Sequence, residues 1–358
     1  MRVHVTDLKD GDLLQRDTFN DFGLHVLSKG TTLRSKEISM LFQHQIDYVD
    51  IEMRSFDQPV HPSAVGSTRT IETSVSPKWM PAVKPIYEDT VKGFKSLFEQ
   101  AINEGIIEEQ AVKETFQPLV DNFQMERDVV SMLLLLNTKD DYTYQHSVQV
   151  GMLSFYLASW LGYSQEESVE IGQAGFLHDI GKCRIDSAIL NKPDRLTDEE
   201  FAVIKRHPQY GHDIIKNSMD NEIAAIVAAQ HHERNDGSGY PLGLKNDQIH
   251  PIAKIVAVVD VYSAMISMRV YKEKRDLLQV LREIHRMSFN ELDAVTAHTF
   301  IKHMIPNFIG KRATLDNGKT GIIVMTHPTE FFRPLIQIDN EFVDLTLVRD
   351  VDVIEIIL

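Results

Sequence analysis

The sequence predicts a mainly α-helical protein, with a small α+β unit before the helices and a small β-rich unit after them. Residues 140–306 carry apolar side chains at helical spacing almost throughout. Residues 1–53 instead alternate short apolar stretches with Gly and Asp turn signals. Residues 311–358 contain β-branched runs such as I-I-V and L-T-L-V, which favour strands. We therefore expect an all-helical bundle flanked by two smaller units.

Five segments are expected along the chain. Several Pro residues, with Ser and Thr between them, fall within 54–85, a composition typical of a linker because it buries little apolar surface. Two helical stretches follow it. The expected segments are an N-terminal accessory α+β module at 1–53, a linker at 54–85, connecting helices at 86–137, a helical domain at 138–310 and a β-rich C-terminal unit at 311–358.

The N-terminal module carries no cluster of chemically reactive residues. Residues 22–33 have the turn and strand residues of a hairpin, and Ser35 is a suitable N-cap for a helix through about Ile46. We therefore interpret this segment as an interaction or packing module, through which an unidentified signalling partner would act.

The connecting helices carry an apolar stripe. Its members recur at helical spacing and are Phe94, Leu97, Phe98, Ala101 and Ile102. Such a stripe is typical either of packing within the chain or of a homodimer interface, and the spacing fits both.

Charge and cysteine content exclude some classes of function. The chain has 358 residues, with 37 Lys and Arg against 52 Asp and Glu, so its formal net charge is −15. This charge disfavours binding to a nucleic-acid polymer but allows a local basic pocket for a small anion. Cys183 is the only cysteine, which excludes an intrachain disulfide and a Cys-based zinc site. With no apolar run near the ~20 residues of a spanning helix, we expect a cytoplasmic protein without membrane insertion.

The chemistry is concentrated between residues 146 and 272, and the first candidates are His178 and Asp179 in F-L-H-D-I-G-K. His178 falls on the apolar face of the preceding helix. A neighbouring His and Asp can supply a nitrogen and a carboxylate to adjacent metal positions, and a carboxylate can bridge two ions. Gly181 then permits a turn that directs the Lys182 cation towards the same place. A buried His with a carboxylate partner is also a common structural pair, so this motif is weak by itself.

Further candidates strengthen the metal interpretation. His146 shares an apolar helical face, His207 opens a helix before Pro208, and Asp260 is embedded in I-V-A-V-V-D-V-Y. A carboxylate in that position must be paired or metal-bound, because a bare buried charge is very costly. His231 and His232 end an apolar helix. Together these side chains exceed the needs of one tetrahedral zinc and suit two or more octahedral ions, with iron, manganese or zinc as candidates.

The order of these motifs resembles the HD-GYP family of HD-domain metal-dependent phosphohydrolases. The resemblance covers about residues 140–305 and depends most on H-H-E-R-N-D-G-S-G-Y-P, at 231–241. It implies an all-helical HD-type bundle with two divalent metal ions, most often iron or manganese. It also implies hydrolysis of cyclic di-GMP to pGpG, in some members on to GMP, through a metal-bridging hydroxide.

The resemblance assigns roles to individual residues. Asp179 would bridge two ions, of which one is held by His146, His178 and Asp260 and the other by His207, His231 and His232. Asp179 and Lys182 would be the catalytic residues. Substrate contacts would come from Lys182, Asp236, Gly237, Gly239, Tyr240, Pro241, Arg269 and Lys272, although Arg269 and Lys272 also fit a solvated helix end.

Three positions depart from the family pattern. Ser263 stands where the family often has a second Asp, and Val270 stands where Pro is usual. Tyr142 lies one helical turn before His146, where some members have a Glu that holds a third ion, so we expect two ions here. The departures keep two alternatives open: a catalytically weak or inactive cyclic-dinucleotide receptor, and an HD phosphohydrolase acting on another nucleotide.

Overall fold

The computed structural model describes residues 2–52 with short gaps at 6–7, 9–10, 20–24, 35–36, 39, 42–43, 45 and 47, and then residues 80–123, 142–192, 194–267, 277–339 and 341–357. Contacts between residues divide the chain into two units, Met1–Pro85 and Ile86–Leu358. The finer division into five segments stays a prediction.

The described residues of the first unit form four short strands in two antiparallel pairs. β1 (Arg2–His4) pairs with β4 (Tyr48–Asp50), and β2 (Thr18–Phe19) pairs with β3 (His25–Leu27). The predicted hairpin at 22–33 is therefore wrong in its pairing. The strand within it, β3, pairs with β2, which lies before residue 22. The Thr18 hydroxyl donates to the Leu27 carbonyl at 3.1 Å and accepts from the Leu27 amide at 2.9 Å, which favours this pairing.

Two helices come next in the chain, α1 (Met80–Glu104) and α2 (Glu109–Phe123). α1 begins six residues before Ile86, the first residue of the second unit. α1 begins within the predicted linker. Pro81 lies in its first turn, where a missing backbone N–H costs no helical hydrogen bond. The remaining linker residues lie outside the described chain.

The apolar stripe on α1 packs within the chain. Phe94, Leu97, Phe98 and Ala101 are buried, whereas Ile102 is 47% exposed. The Phe94 ring meets the Phe176 ring edge-on, with a centroid separation of 4.8 Å. Of the two interpretations of the stripe, intrachain packing accounts for its buried members.

The helical bundle is centred on α3 (Tyr142–Trp160) and α4 (Gln165–Leu177). Ser164 starts α4 with a capping box, in which Ser164 and Glu167 satisfy each other's backbone amides. The other helices of the unit are α5 (Ser187–Leu190), α6 (Asp198–Ile204), α7 (His207–Ser218), α8 (Glu222–Gln230), α9 (Pro251–Ser267), α10 (Leu277–Met287) and α11 (Ala294–Met304). Among the described residues, no helix is both long and apolar enough to cross a membrane.

A five-stranded antiparallel sheet follows the helices and confirms the predicted β-rich C-terminal region. Its strands are β5 (Arg312–Leu315), β6 (Thr320–Met325), β7 (Leu335–Ile338), β8 (Glu341–Asp344) and β9 (Val353–Ile357), in the spatial order β8-β7-β6-β5-β9. One face is buried through Ala313, Ile323, Ile336 and Ile356. The fold is therefore mainly α, as the sequence predicts.

Candidate metal centre

Five places in the helical bundle bring seven imidazole and carboxylate side chains together. They come from α3, the end of α4, the start of α7, the end of α8 and the middle of α9. The side chains fall into two groups, in each of which the potential ligand atoms lie within 4.8 Å of one another. The first group is His146, His178 and Asp260, and the second is Asp179, His207, His231 and His232.

The first group is closely spaced and buried. His146 Nε2 lies 3.0 Å from Asp260 Oδ1, and His178 Nε2 lies 3.8 Å from the same oxygen. Asp260 Oδ2 also faces the second group, at 3.6 Å from His232 Nδ1. Two imidazoles and one carboxylate thus converge on a small volume, which suits a borderline divalent cation.

Asp179 lies between the two groups, with one oxygen directed at each. Its Oδ2 is 3.2 Å from His178 Nε2 and 3.9 Å from His146 Nε2. Its Oδ1 is 3.2 Å from His207 Nε2 and 3.7 Å from His231 Nε2. This orientation is what a carboxylate needs in order to bridge two ions.

Backbone carbonyls orient three of the histidines. His178 Nδ1 donates to the Gly175 carbonyl at 2.7 Å, His207 Nδ1 donates to the Ile204 carbonyl at 2.7 Å, and His231 Nδ1 donates to the Ala228 carbonyl at 3.0 Å. A carbonyl only accepts, so Nδ1 of each ring carries a hydrogen, and Nε2 is the ring nitrogen that faces the site. This arrangement is the usual support for a metal-binding histidine, so the residues fit a metal.

The electrostatics of the site favour ionised carboxylates, and burial disfavours the charged form of two imidazoles, those of His207 and His232. Burial alone would raise the pKa of Asp179, but the charges of His178 and Lys182 hold that pKa well below its usual range. Burial likewise opposes ionisation of Asp260, yet the hydrogen bond from His146 and nearby imidazoles keep its pKa well below the usual range. Burial lowers the pKa of His207 and that of His232. These are the protonation states that metal ligation requires.

Lys182 lies beside the site, as the motif predicts, and donates a hydrogen bond to Asp179 Oδ2. Its side chain is 22% exposed. Gly181 lies in the predicted turn, in which the Lys182 amide donates to the Asp179 carbonyl at 3.0 Å, and it also has a second role. A Cβ on Gly181 would lie 2.1 Å from the His207 carbonyl oxygen and 2.3 Å from the Gly211 amide nitrogen. The glycine therefore allows close contact between this segment and α7.

The glycine-rich loop borders the second group. Tyr240 places its ring centroid 4.6 Å from that of His232, and Gly237 has a φ of +83°, which favours glycine. Gly239 packs directly on backbone, since a Cβ there would lie 2.4 Å from the Arg234 amide nitrogen. Asp236 is exposed and accepts from the Ser238 amide and hydroxyl, so in this structure it forms the turn. Pro241 is exposed beside Tyr240.

Sequence reasoning missed the role of Glu233. This residue is buried, and its carboxylate accepts from the amides of Leu242 at 2.7 Å and Leu244 at 2.9 Å. It thereby fixes the far side of the glycine-rich loop to the segment that carries His231 and His232. The signal was present in the sequence, because an acidic residue directly follows the two histidines in H-H-E.

The remaining predicted residues have three outcomes. Ser263 is buried and donates to Gln149 Oε1 at 3.2 Å, so it lies in a helix contact of the bundle. Arg269 and Lys272, with Val270, lie outside the described residues. The Tyr142 side chain also lies outside them, so the expected number of two ions stays a prediction.

Histidines and aspartates of the helical bundle thus form two adjacent groups that could each hold a metal ion. Residues 130–295 match the family model described as HD domain. Residues 130–295 thus resemble an HD domain, and this match bears out the resemblance to the HD-GYP family that the motifs indicate.

Curated relatives from several bacteria share this region. A protein named cyclic di-GMP phosphodiesterase from Pseudomonas aeruginosa is 36% identical over 58% of this chain and 50% of its own length. One with the same name from Thermotoga maritima is 40% identical over 50% of this chain and 50% of its own length. A 3'3'-cGAMP-specific phosphodiesterase of Vibrio cholerae is 32% identical over 49% of this chain and 41% of its own length. The chain thus spans about half the length of the first two.

Proposed function

We propose that this protein is a metal-dependent phosphodiesterase that hydrolyses cyclic di-GMP to pGpG and then to GMP. The observation that carries the proposal is the position of Asp179, whose two carboxylate oxygens face different groups of inward-directed histidines. The names of the Pseudomonas and Thermotoga relatives support the substrate.

The seven side chains would hold two ions, with iron or manganese as our proposal. His146, His178 and Asp260 would hold one, His207, His231 and His232 would hold the other, and Asp179 would contact both. Mixed imidazole and carboxylate ligands suit these metals. When bound, two such ions lower the pKa of a water molecule and bind the oxygens of a phosphodiester.

The chain itself would bind and orient the phosphodiester. Lys182, partly exposed beside Asp179, is suited to a charge-assisted hydrogen bond with a non-bridging phosphate oxygen. Tyr240, next to His232, would limit how the substrate enters from the loop side. Arg269 and Lys272 remain proposed phosphate contacts on the motif alone.

A second candidate substrate is 3'3'-cGAMP, because relatives in Vibrio cholerae carry that name. Both substrates present a cyclic phosphodiester backbone and purine bases, so the metal chemistry is the same. A binding-only receptor is less well supported, because all seven proposed ligands are present and lie in two compact groups. The glycine-rich loop, complete in this chain, supports a cyclic dinucleotide over a mononucleotide.

The test is hydrolysis by protein loaded anaerobically with Fe²⁺ or Mn²⁺. Cyclic di-GMP and 3'3'-cGAMP are incubated separately, and chromatography measures pGpG, pApG or pGpA, and the mononucleotides. We expect metal-dependent product from cyclic di-GMP, and none from Asp179→Asn. Metal-loaded protein that binds cyclic di-GMP without cleaving it would contradict the proposal and support the receptor.

A further inference from the structure

A row of aromatic rings leads from the metal centre to the surface. The ring centroids of His232 and Tyr240 are 4.6 Å apart, with 31° between the planes. The Phe201 ring follows at 6.3 Å from Tyr240, with the planes at 77°. Phe201 lies on α6 and is 42% exposed, so part of its surface is open to solvent.

A cation accompanies the exposed end of this row. Lys205 directly follows α6, and its Nζ lies 4.7 Å from the Phe201 ring centroid and 5.6 Å from that of Tyr240. An aromatic face beside a lysine is the combination that binds single nucleotides: the ring stacks on a base, and the ammonium binds phosphate.

The supporting helix is held in a defined position. Thr197 and Glu200 form a capping box at its start, and Glu200 also accepts from Lys192 Nζ at 2.7 Å. Phe201 therefore stands on a fixed element rather than on a loop. A preorganised ring loses little conformational freedom when it stacks on a ligand.

The spacing of the row suits a nucleotide whose phosphate is at the metal centre. A base is separated from its phosphate by one ribose, and Phe201 is separated from the ligand His232 by one ring, Tyr240. The bound phosphodiester would therefore place an attached base near Phe201. It would leave the second phosphate of a cyclic dinucleotide within reach of a long, exposed side chain such as Lys205.

We propose that Phe201 and Lys205 form a substrate subsite, in which Phe201 stacks on a purine base and Lys205 binds the phosphate that is not being cleaved. This inference rests on the proposed function, because it assumes a phosphodiester at the metal centre. It adds two residues outside the H-D and G-Y-P motifs and gives α6 a role in substrate selection.

Equilibrium binding tests the subsite. The probe is the bis-phosphorothioate analogue of cyclic di-GMP, titrated calorimetrically into Mn²⁺-loaded protein. We expect Phe201→Ala to raise the Kd about tenfold or more, as the loss of a base stack does. Phe201→Trp should keep a Kd near that of the wild type, and Phe201→Leu, which keeps the apolar volume without a ring, should behave like Phe201→Ala. Lys205→Gln should also raise the Kd and weaken its dependence on salt concentration.

The controls separate a stacking role from a structural one. Phe289 lies outside this row and is 70% exposed, more than Phe201. Phe289→Ala should therefore leave the Kd unchanged. Metal content should be the same in every variant. An unchanged Kd in Phe201→Ala, a loss of metal in that variant, or failure of the wild type to bind the probe would overturn the subsite.

Hydrolysis of cyclic di-GMP by the same variants distinguishes the two proposals. A wild type that hydrolyses it with no difference in Phe201→Ala would overturn the subsite alone. A wild type that binds through Phe201 but does not hydrolyse would support the subsite and overturn the proposed activity.

Discussion

Asp179 differs from the other six residues of the candidate metal centre because each of its two oxygens approaches two imidazoles, whereas Asp260 reaches the second group only through His232. Each oxygen lies 3.2 Å from an imidazole nitrogen, of His178 on one side and His207 on the other. Removal of any other residue affects mainly one group. Removal of the Asp179 carboxylate affects both, so this residue offers the sharpest test at the scale of single side chains.

We predict that Asp179→Asn loses metal and turnover together. Disturbing only an outer hydrogen bond of a metal ligand typically costs about 10–100-fold in affinity, so losing a shared ligand oxygen should cost at least about 100-fold. Elemental analysis and product chromatography measure the two losses. The matched control is Asp213→Asn, on an exposed part of α7, which should retain both. Full metal content with normal turnover in Asp179→Asn would rule out the bridging role.

Gly181 gives a prediction about stability. Gly181→Ala places a methyl group 2.1 Å from the His207 carbonyl oxygen, so the segment must move away from α7. We expect the free energy of unfolding to fall by about 2 kcal/mol or more, in the range of overpacked cores. Urea unfolding measures the change.

Gly211→Ala is the comparison for Gly181→Ala, because its Cβ would lie 3.2 Å from the Ala228 Cβ and no closer than 3.4 Å to the Gly181 backbone, so no backbone atom has to move far. The gain of helix propensity at position 211 should offset most of that contact. Equal losses in the two variants would show that backbone contact is not what requires Gly181.

At the scale of elements, the glycine-rich loop depends on Glu233 as well as on its glycines. The carboxylate binds the amides of Leu242 and Leu244 and is not in either ligand group. The loop also places Tyr240 against His232. Glu233 should therefore control the position of the loop without holding metal.

We predict that Glu233→Ala loosens the loop and keeps the metal. Each amide left without its charged acceptor loses on the order of 1–3 kcal/mol. Hydrogen exchange in peptides covering 233–244 should accelerate, and the KM for the cyclic dinucleotide should rise. Metal content should match the wild type, with Glu291→Ala as the control for loss of a nearby carboxylate. Metal loss like that of Asp179→Asn would instead make Glu233 part of the metal centre.

The sequence predicts an element well when its apolar pattern repeats over many residues. It predicts an element poorly when a few contacts between distant residues determine the structure. The helical bundle and the C-terminal strands follow from spacing and β-branched runs. The pairing of the strand His25–Leu27 does not follow from the sequence pattern, because it depends on two hydrogen bonds between Thr18 and Leu27. The role of Gly181 also depends on which backbone packs against it, and spacing carries no information about that neighbour.

The candidate site shows the same limit. The motif order named the seven imidazole and carboxylate residues, and the structure brings them together, while their role as ligands stays a prediction. Phe201 and Lys205 carry no pattern of their own. Their proximity to Tyr240 arises only when α6 folds against the loop, so only the structure could single them out.

At the scale of the whole molecule, all seven residues lie in the second unit, Ile86–Leu358. We predict that deletion of residues 1–79 leaves the metal content unchanged and keeps turnover within about threefold of that of the full chain. A loss of 1.4 kcal/mol of stabilisation at the site would instead produce about a tenfold change. The deletion keeps α1 whole from Met80. Elemental analysis and hydrolysis of cyclic di-GMP measure the outcome. A folded variant that has lost its metal would show that the first unit supports the site.

The most direct test of the central claim is anomalous diffraction from crystals of the full chain grown with Fe²⁺ or Mn²⁺, recorded at the absorption edges of both metals. We predict two anomalous peaks. One should lie among His146, His178 and Asp260, the other among His207, His231 and His232, with Asp179 within ligating distance of both. A single peak, a third well-occupied ion near Tyr142, or metal that binds only outside these groups would contradict the two-ion centre.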